Sequence, residues 1–204
     1  MKKRITSLLL VLAMCFAMLP TAAFAAENEE STMPAYSGGS GTQDDPWLIS
    51  SVEDLQTLAS TINDGKAAGY DADCTDTGNG IPGNYHGYYF RQTTNLDLNG
   101  IDNWDPIGYS GGCYFAGHYD GDGRTITGAK STGKVDERDK DNADSYGCAT
   151  AGIFGWVAFG SVENLHVENA NFKATGKENY SYVGGIAAVA FAASIKNCTV
   201  KDSA

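Results

Sequence analysis

Two stretches of the chain align without a gap at an offset of 33 residues. Gly152-Ile153-Phe154-Gly155-Trp156-Val157 falls on Gly185-Ile186-Ala187-Ala188-Val189-Ala190, and Ser161-Val162-Glu163-Asn164-Leu165-His166-Val167 falls on Ser194-Ile195-Lys196-Asn197-Cys198-Thr199-Val200. A fixed period of this size is the mark of a solenoid built from one small stacked unit. Within the unit, apolar and polar residues alternate and Gly and Asn interrupt the run, which reads as short strands joined by turns rather than helices. The fold expected is therefore all-β, a parallel β-helix of a few coils.

A single helical signal precedes the strands. Ser51 is a candidate N-cap with Asp54 three residues on. Val52, Leu55, Leu58, Ala59 and Ile62 fall on one face, and Asn63-Asp64-Gly65 stops the run. In a solenoid, such an amphipathic helix can cover the first coil's apolar interior and open strand edges, so an N-terminal capping helix is expected. Asn95-Leu96-Asp97-Leu98 alternates as a strand, with the leucines on one face. Ile107-Gly108, Tyr114-Phe115 and Thr125-Ile126 read as further short strands, and Asp120-Gly121-Asp122-Gly123 as turn chemistry. Residues 66–87 and the charged stretch 130–147 read as loops.

Residues 1–25 have the form of a secretion signal: Lys2-Lys3-Arg4, an apolar run from Leu8 to Leu19, then Ala23-Phe24-Ala25. The run is too short to span a membrane as a helix, and Met14 before Cys15 makes a poor lipoprotein site. Cleavage would leave 179 residues with 25 acids against 11 bases, a net charge of −14. That balance argues against nucleic acid and anionic membrane as partners, since both select positive charge. Residues 26–41 read as a flexible polar leader and 42–204 as the β domain. With no terminal unit of atypical sequence after the second repeat, the domain is expected to continue beyond Ala204 and to be capable of end-to-end self-association. Cys74, Cys113, Cys148 and Cys198 stay in the mature chain. Secretion permits disulfides, but spacing does not fix a pairing. Cys198 shares the repeat position of Leu165 and is expected in the core.

Several pieces together resemble a known family. They are Asp45-Pro46-Trp47-Leu48-Ile49, the Leu55/Leu58 helix, Asn95-Leu96-Asp97-Leu98 and Trp104-Asp105-Pro106-Ile107-Gly108. After these come Phe115-Ala116-Gly117 through Asp120-Gly121-Asp122-Gly123 to Ile126, then Gly152-Ile153-Phe154-Gly155, and Ile195-Lys196-Asn197-Cys198. In this order they resemble the GLUG-motif modules of bacterial secreted and surface proteins, including those attached to IgA-protease-like enzymes and large adhesins. The resemblance implies a right-handed parallel β-helix at the cell surface. It also assigns structural roles to Asp97, Pro106, Ile107, Gly108, Phe115, Gly117, Asp120, Gly121, Gly123, Gly152, Phe154, Gly155, Asn164, Gly185 and Asn197. Asn164 and Asn197 occupy one repeat position, where stacked side chains can form a hydrogen-bonded ladder. Ala188 stands where the first copy has Gly155, a departure from the pattern.

No catalytic residues are expected. His86, His118 and His166 do not form the His-Glu-x-x-His pattern of a zinc protease. Asp97, Asp105, Asp120 and Asp122 are the best local acids for glycoside chemistry, which needs a carboxylate pair at fixed separation, but Asp97 and Asp120 fit turn and strand-edge hydrogen bonding better. No cofactor is required. Asp120, Asp122, Asp139 and Asp141 leave calcium as the one metal to consider, although neither acidic stretch fits the EF-hand loop. Candidate ligand-binding aromatics are Trp104, Tyr109, Tyr114 and Tyr119, because aromatic faces stack on sugars and anchor protein interfaces. The function expected is a non-catalytic secreted or surface module, a stalk or adhesive surface for host protein or glycan. The rival is a fragment of a polysaccharide-degrading β-helix, or an accessory arm of a secreted metalloprotease.

Overall fold

Alternation of buried with more exposed positions organises the short segments 47–49, 89–92, 118–120, 125–127, 161–163 and 166–168 of the computed structural model, which describes residues 35–65, 67, 84–109, 112–135, 149–175 and 180–204. These lie in one compact unit, Met33–Ala204. The signal segment 1–25, Cys74, Cys148, Asp139 and Asp141 fall outside the described residues.

Among the described residues the chain is mostly strand with one helix. The first half runs β1 (Trp47–Ile49), α1 (Val52–Asn63), β2 (Tyr89–Gln92), β3 (Leu96–Asp97), β4 (His118–Asp120), β5 (Thr125–Thr127), β6 (Lys130–Ser131) and β7 (Lys134–Val135). Then follow β8 (Ala149–Ala151), β9 (Phe154–Ala158), β10 (Ser161–Glu163), β11 (His166–Glu168), β12 (Asn171–Phe172), β13 (Ser181–Val183), β14 (Ala187–Phe191), β15 (Ser194–Lys196) and β16 (Thr199–Lys201). They form five short sheets, ordered β1-β2-β4-β10-β15, β16-β11-β5-β3, β12-β6, β13-β8-β7 and β14-β9. All pairs are parallel except β7 with β8. Two of the expected short strands are single parallel bridges, Ile107 to Phe154 and Phe115 to Val157.

The 33-residue offset read from the sequence is the pairing register of three strand pairs: Phe154 with Ala187, Ser161 with Ser194, and His166 with Thr199. Inward positions along the five-stranded sheet are Trp47, Phe90, Tyr119, Val162 and Ile195, in register strand by strand. All but Ile195 are buried in one continuous core, which also holds Leu55, Leu58 and Ile62 of α1. Parallel sheets are stable only where a face is covered, and here that core covers them.

Helix α1 begins with a reciprocal capping box. The Asp54 backbone N–H donates to Ser51 Oγ (3.1 Å) and the Ser51 N–H donates to Asp54 Oδ2 (3.1 Å). At its other end, Asn63 Nδ2 donates to the Pro106 carbonyl and Asn63 Oδ1 accepts from the Gly108 N–H, each at 3.0 Å. The helix is thereby fixed to the 106–108 segment that carries the Ile107 bridge.

The last residues of the leader are hydrogen-bonded to β1 and to Tyr85. Ser37 N–H donates to the Leu48 carbonyl, Leu48 N–H donates to the Gly38 carbonyl, and Tyr36 Oη lies 2.8 Å from Tyr85 Oη. These contacts close the outer edge of β1, where unpaired N–H and C=O groups would otherwise face solvent. The stretch from Lys130 is not wholly loop, because Lys130–Ser131 pairs with Asn171–Phe172 and Lys134–Val135 pairs with β8.

The turn between β10 and β11 carries the expected ladder. Asn197 Nδ2 donates to Asn164 Oδ1 (3.2 Å), and Asn164 Nδ2 donates to Asp120 Oδ1 (2.9 Å). Asn164 and Asn197 both have φ near +50°, a region in which Asn is among the best-tolerated side chains. Beneath them Gly121 has no room for a side chain, since a Cβ there would meet the Asn164 carbonyl oxygen at 2.6 Å.

Candidate functional site: a trench across the five-stranded sheet

The four aromatics expected to bind ligand are buried: Trp104 is 2 % exposed, Tyr109 7 %, Tyr114 4 % and Tyr119 0 %. Buried this deeply, the four rings offer little face to a ligand. Tyr119 lies mid-strand between outward His118 and Asp120, and packing between Phe90 and Val162 holds it inward. Its hydroxyl donates to Gln92 Oε1 at 2.9 Å, and burial raises its pKa well above the usual phenol value. Trp104 Nε1 donates to the Ile153 carbonyl at 3.1 Å. Trp104 and Tyr109 reach only the floor of a cleft of about 360 Å³ beside α1, where Lys134 pairs with Asp105 at 2.7 Å and sits 5.7 Å over the Tyr109 ring.

The expected acids are engaged locally. Asp97 Oδ1 accepts from the Asn99 N–H and from Asn99 Nδ2, at 2.9 and 2.7 Å. Asp120 Oδ1 accepts from the Asp122 N–H and from Asn164 Nδ2, both at 2.9 Å. Among the described residues, no three His, Cys, Asp or Glu side chains converge as a metal site would require. Cys198 is half-buried against the core, and burial raises its thiol pKa. Cys113 is buried, with its sulfur 3.5 Å from Asn63 Oδ1.

The polar residues that do converge lie on the outer face of β2, β4 and β10. Residues two apart on a strand point the same way, about 6.6 Å apart, and adjacent strands are about 4.8 Å apart. One outward row is Tyr89, His118, Ser161 and Ser194, and the other is Arg91, Asp120, Glu163 and Lys196. Between the rows runs a trench of about 250 Å³, lined also by Gln43 and Pro46. The Tyr89 and His118 rings are stacked, with centroids 4.5 Å apart and planes inclined by 26°. His118 Nδ1 and Ser161 Oγ are 2.9 Å apart. Arg91 Nε lies 3.9 Å from Asp120 Oδ2 across a solvent-exposed gap, a contact that contributes little to stability. Burial lowers the His118 pKa below its ordinary value, as does His86, against an opposing pull from Glu163. The imidazole is therefore neutral at pH 7 and presents one donor and one acceptor nitrogen.

The sequence did not single out this group. Tyr89, His118 and Ser161 are separated by 29 and then 43 residues, so no fixed period links them. The only local signal is the strict alternation in each strand.

An all-β protein of short parallel sheets with a polar outer trench is the class these observations define. Residues 179–204 match the family model for the GLUG motif, so the chain contains that motif in the second of its two repeat copies. No match was found among curated proteins or among solved structures.

Proposed function

We propose that this chain is a non-catalytic, secreted or cell-surface module: a right-handed parallel β-helix, capped at its N-terminal end by α1, that acts as a stalk and adhesive surface for host protein or glycan. The shared register of successive strands supports the β-helix, because residue after residue stacks on its counterpart one turn earlier. The adhesive role rests on one observation above the others: the sheet's outer face carries a continuous in-register array of polar and aromatic side chains. Asp97 and Asp120 fit this reading better than the polysaccharide-degrading rival, because one oxygen of each, Oδ1, already accepts two structural N–H donors. The signal-like N-terminus supports export.

The test pairs a binding assay with a turnover assay. Purified chain is applied to mucin-coated and glycan-coated surfaces and, separately, incubated with acidic polysaccharide. Retention without product formation is expected. Depolymerisation that disappears on Asp97→Asn or Asp120→Asn, with the fold intact, would establish the enzymatic rival.

A further inference from the structure

We propose that the trench between the Tyr89/His118/Ser161 row and the Arg91/Asp120/Glu163 row binds a neutral, linear hexose oligosaccharide lying across the strands. The inference rests on the glycan arm of the adhesive reading and names its ligand class.

Direction comes first. The trench crosses the strands, so its walls repeat once per strand, about every 4.8 Å. That step is close to the axial length of one pyranose unit, so successive sugars meet successive rungs of the same wall. An extended peptide gains nothing comparable here. Peptides join sheets at an edge, through unpaired backbone groups, whereas the floor of this trench is the interior of a sheet. The backbone groups of β2, β4 and β10 are already spent on their neighbours on both sides.

Wall chemistry comes second. One wall supplies the stacked Tyr89–His118 pair, an apolar surface for sugar C–H groups, followed by the Ser161 hydroxyl. The facing wall supplies a guanidinium donor and two carboxylate acceptors. A sugar hydroxyl both donates and accepts, so a wall that alternates donors and acceptors suits it. The neutral imidazole of His118 adds to that mixture.

Charge selects within carbohydrates. Arg91 and Lys196 flank Asp120 and Glu163, so the row sums to zero. The chain as a whole carries −11. A polyanion would meet two carboxylates at the centre of the trench and a repulsive field beyond it. A neutral chain meets neither.

The experiment is a calorimetric titration of the full chain with cellohexaose, laminarihexaose and hexagalacturonate, alongside retention on mucin. Tyr89→Ala and Glu163→Gln are the variants, each checked for fold by circular dichroism. The second preserves side-chain shape, so it remains informative if the first fails to fold. Binding of at least one neutral hexamer is expected, weakened about ten-fold by either variant, as the loss of one stacking or charged hydrogen-bond contact implies. Hexagalacturonate should bind more weakly still. Absence of binding by every neutral hexamer, binding indifferent to both variants, or preference for hexagalacturonate would overturn the inference. Mucin retention by the unmodified chain with no neutral hexamer bound would refute the trench but keep the adhesive reading. Loss of both mucin and oligosaccharide binding from the unmodified chain would refute the two together.

Discussion

Replacing Tyr119 by Phe isolates a single buried hydrogen bond. Tyr119 and Gln92 are both fully buried. The Tyr119 hydroxyl donates to Gln92 Oε1 at 2.9 Å, and Gln92 Nε2 donates to the Thr94 carbonyl at 2.7 Å. The substitution keeps the ring, so no cavity of ring size opens. What it leaves behind is Gln92 Oε1, desolvated and without its donor. An orphaned buried acceptor costs about 1–3 kcal/mol. For a domain of this size, that corresponds to a fall in Tm of roughly 2–12 °C. Urea unfolding of residues 26–204, followed by circular dichroism, gives the free energy directly. A second change, Gln92→Met, removes the orphaned oxygen at similar length. It also removes the Nε2 bonds to the Thr94 carbonyl and, at 3.4 Å, to the Thr125 carbonyl, a cost that the single Gln92→Met variant measures. Tyr119→Phe/Gln92→Met should therefore lose less than the two single variants summed, a coupling of about 1–2 kcal/mol. A Tyr119→Phe variant within about 0.5 kcal/mol of the parent, or a double variant whose loss equals the sum of the singles, would refute the reasoning.

Asn164→Ala should destabilise by about 1–3 kcal/mol, since it removes both ladder bonds and places an L side chain at φ +53°; Asn164→Gly should recover the backbone part, measurable by urea unfolding. Because burial lowers the His118 pKa in the folded state, the unfolded chain takes up more protons as pH falls through the ordinary value of 6.5. Stability is full above that value and is lost as pH drops from it through the folded-state pKa; urea midpoints across that window should fall, and His118→Gln should flatten the dependence. Val183, Phe191, Ile195 and Val200 are exposed, although their register partners Ala151, Ala158, Val162 and Val167 are buried. Sedimentation velocity should therefore reveal concentration-dependent self-association, reduced by Ile195→Glu; a clean monomer at every concentration would count against it.

Local and periodic information was enough for much of the fold. Ser51 and Asp54 lie three residues apart and cap one helix, so their pairing needs nothing distant. The 33-residue repeat fixed the register of β9, β10 and β11 on β14, β15 and β16, because no insertion interrupts that interval. It also placed Asn164 over Asn197. Earlier in the chain, paired residues lie 43, 29 and again 43 positions apart. Intervening segments of unequal length erase the period there.

Sequence alone therefore determined the strand-rich class, the helix with its cap and the last two layers of stacking, all of which depend on neighbours or on an unbroken repeat. Only the tertiary structure decided which face of His118-Tyr119-Asp120 points inward, since alternation says that Tyr119 opposes its neighbours but not which side is core. Packing between Phe90 and Val162 settles that choice. The same packing turns Tyr119 from a candidate ligand contact into core and gathers Tyr89, Arg91, His118, Asp120, Ser161 and Glu163 along one trench. Their meeting depends on long-range strand register, a cooperative property of the whole stack that no single segment encodes.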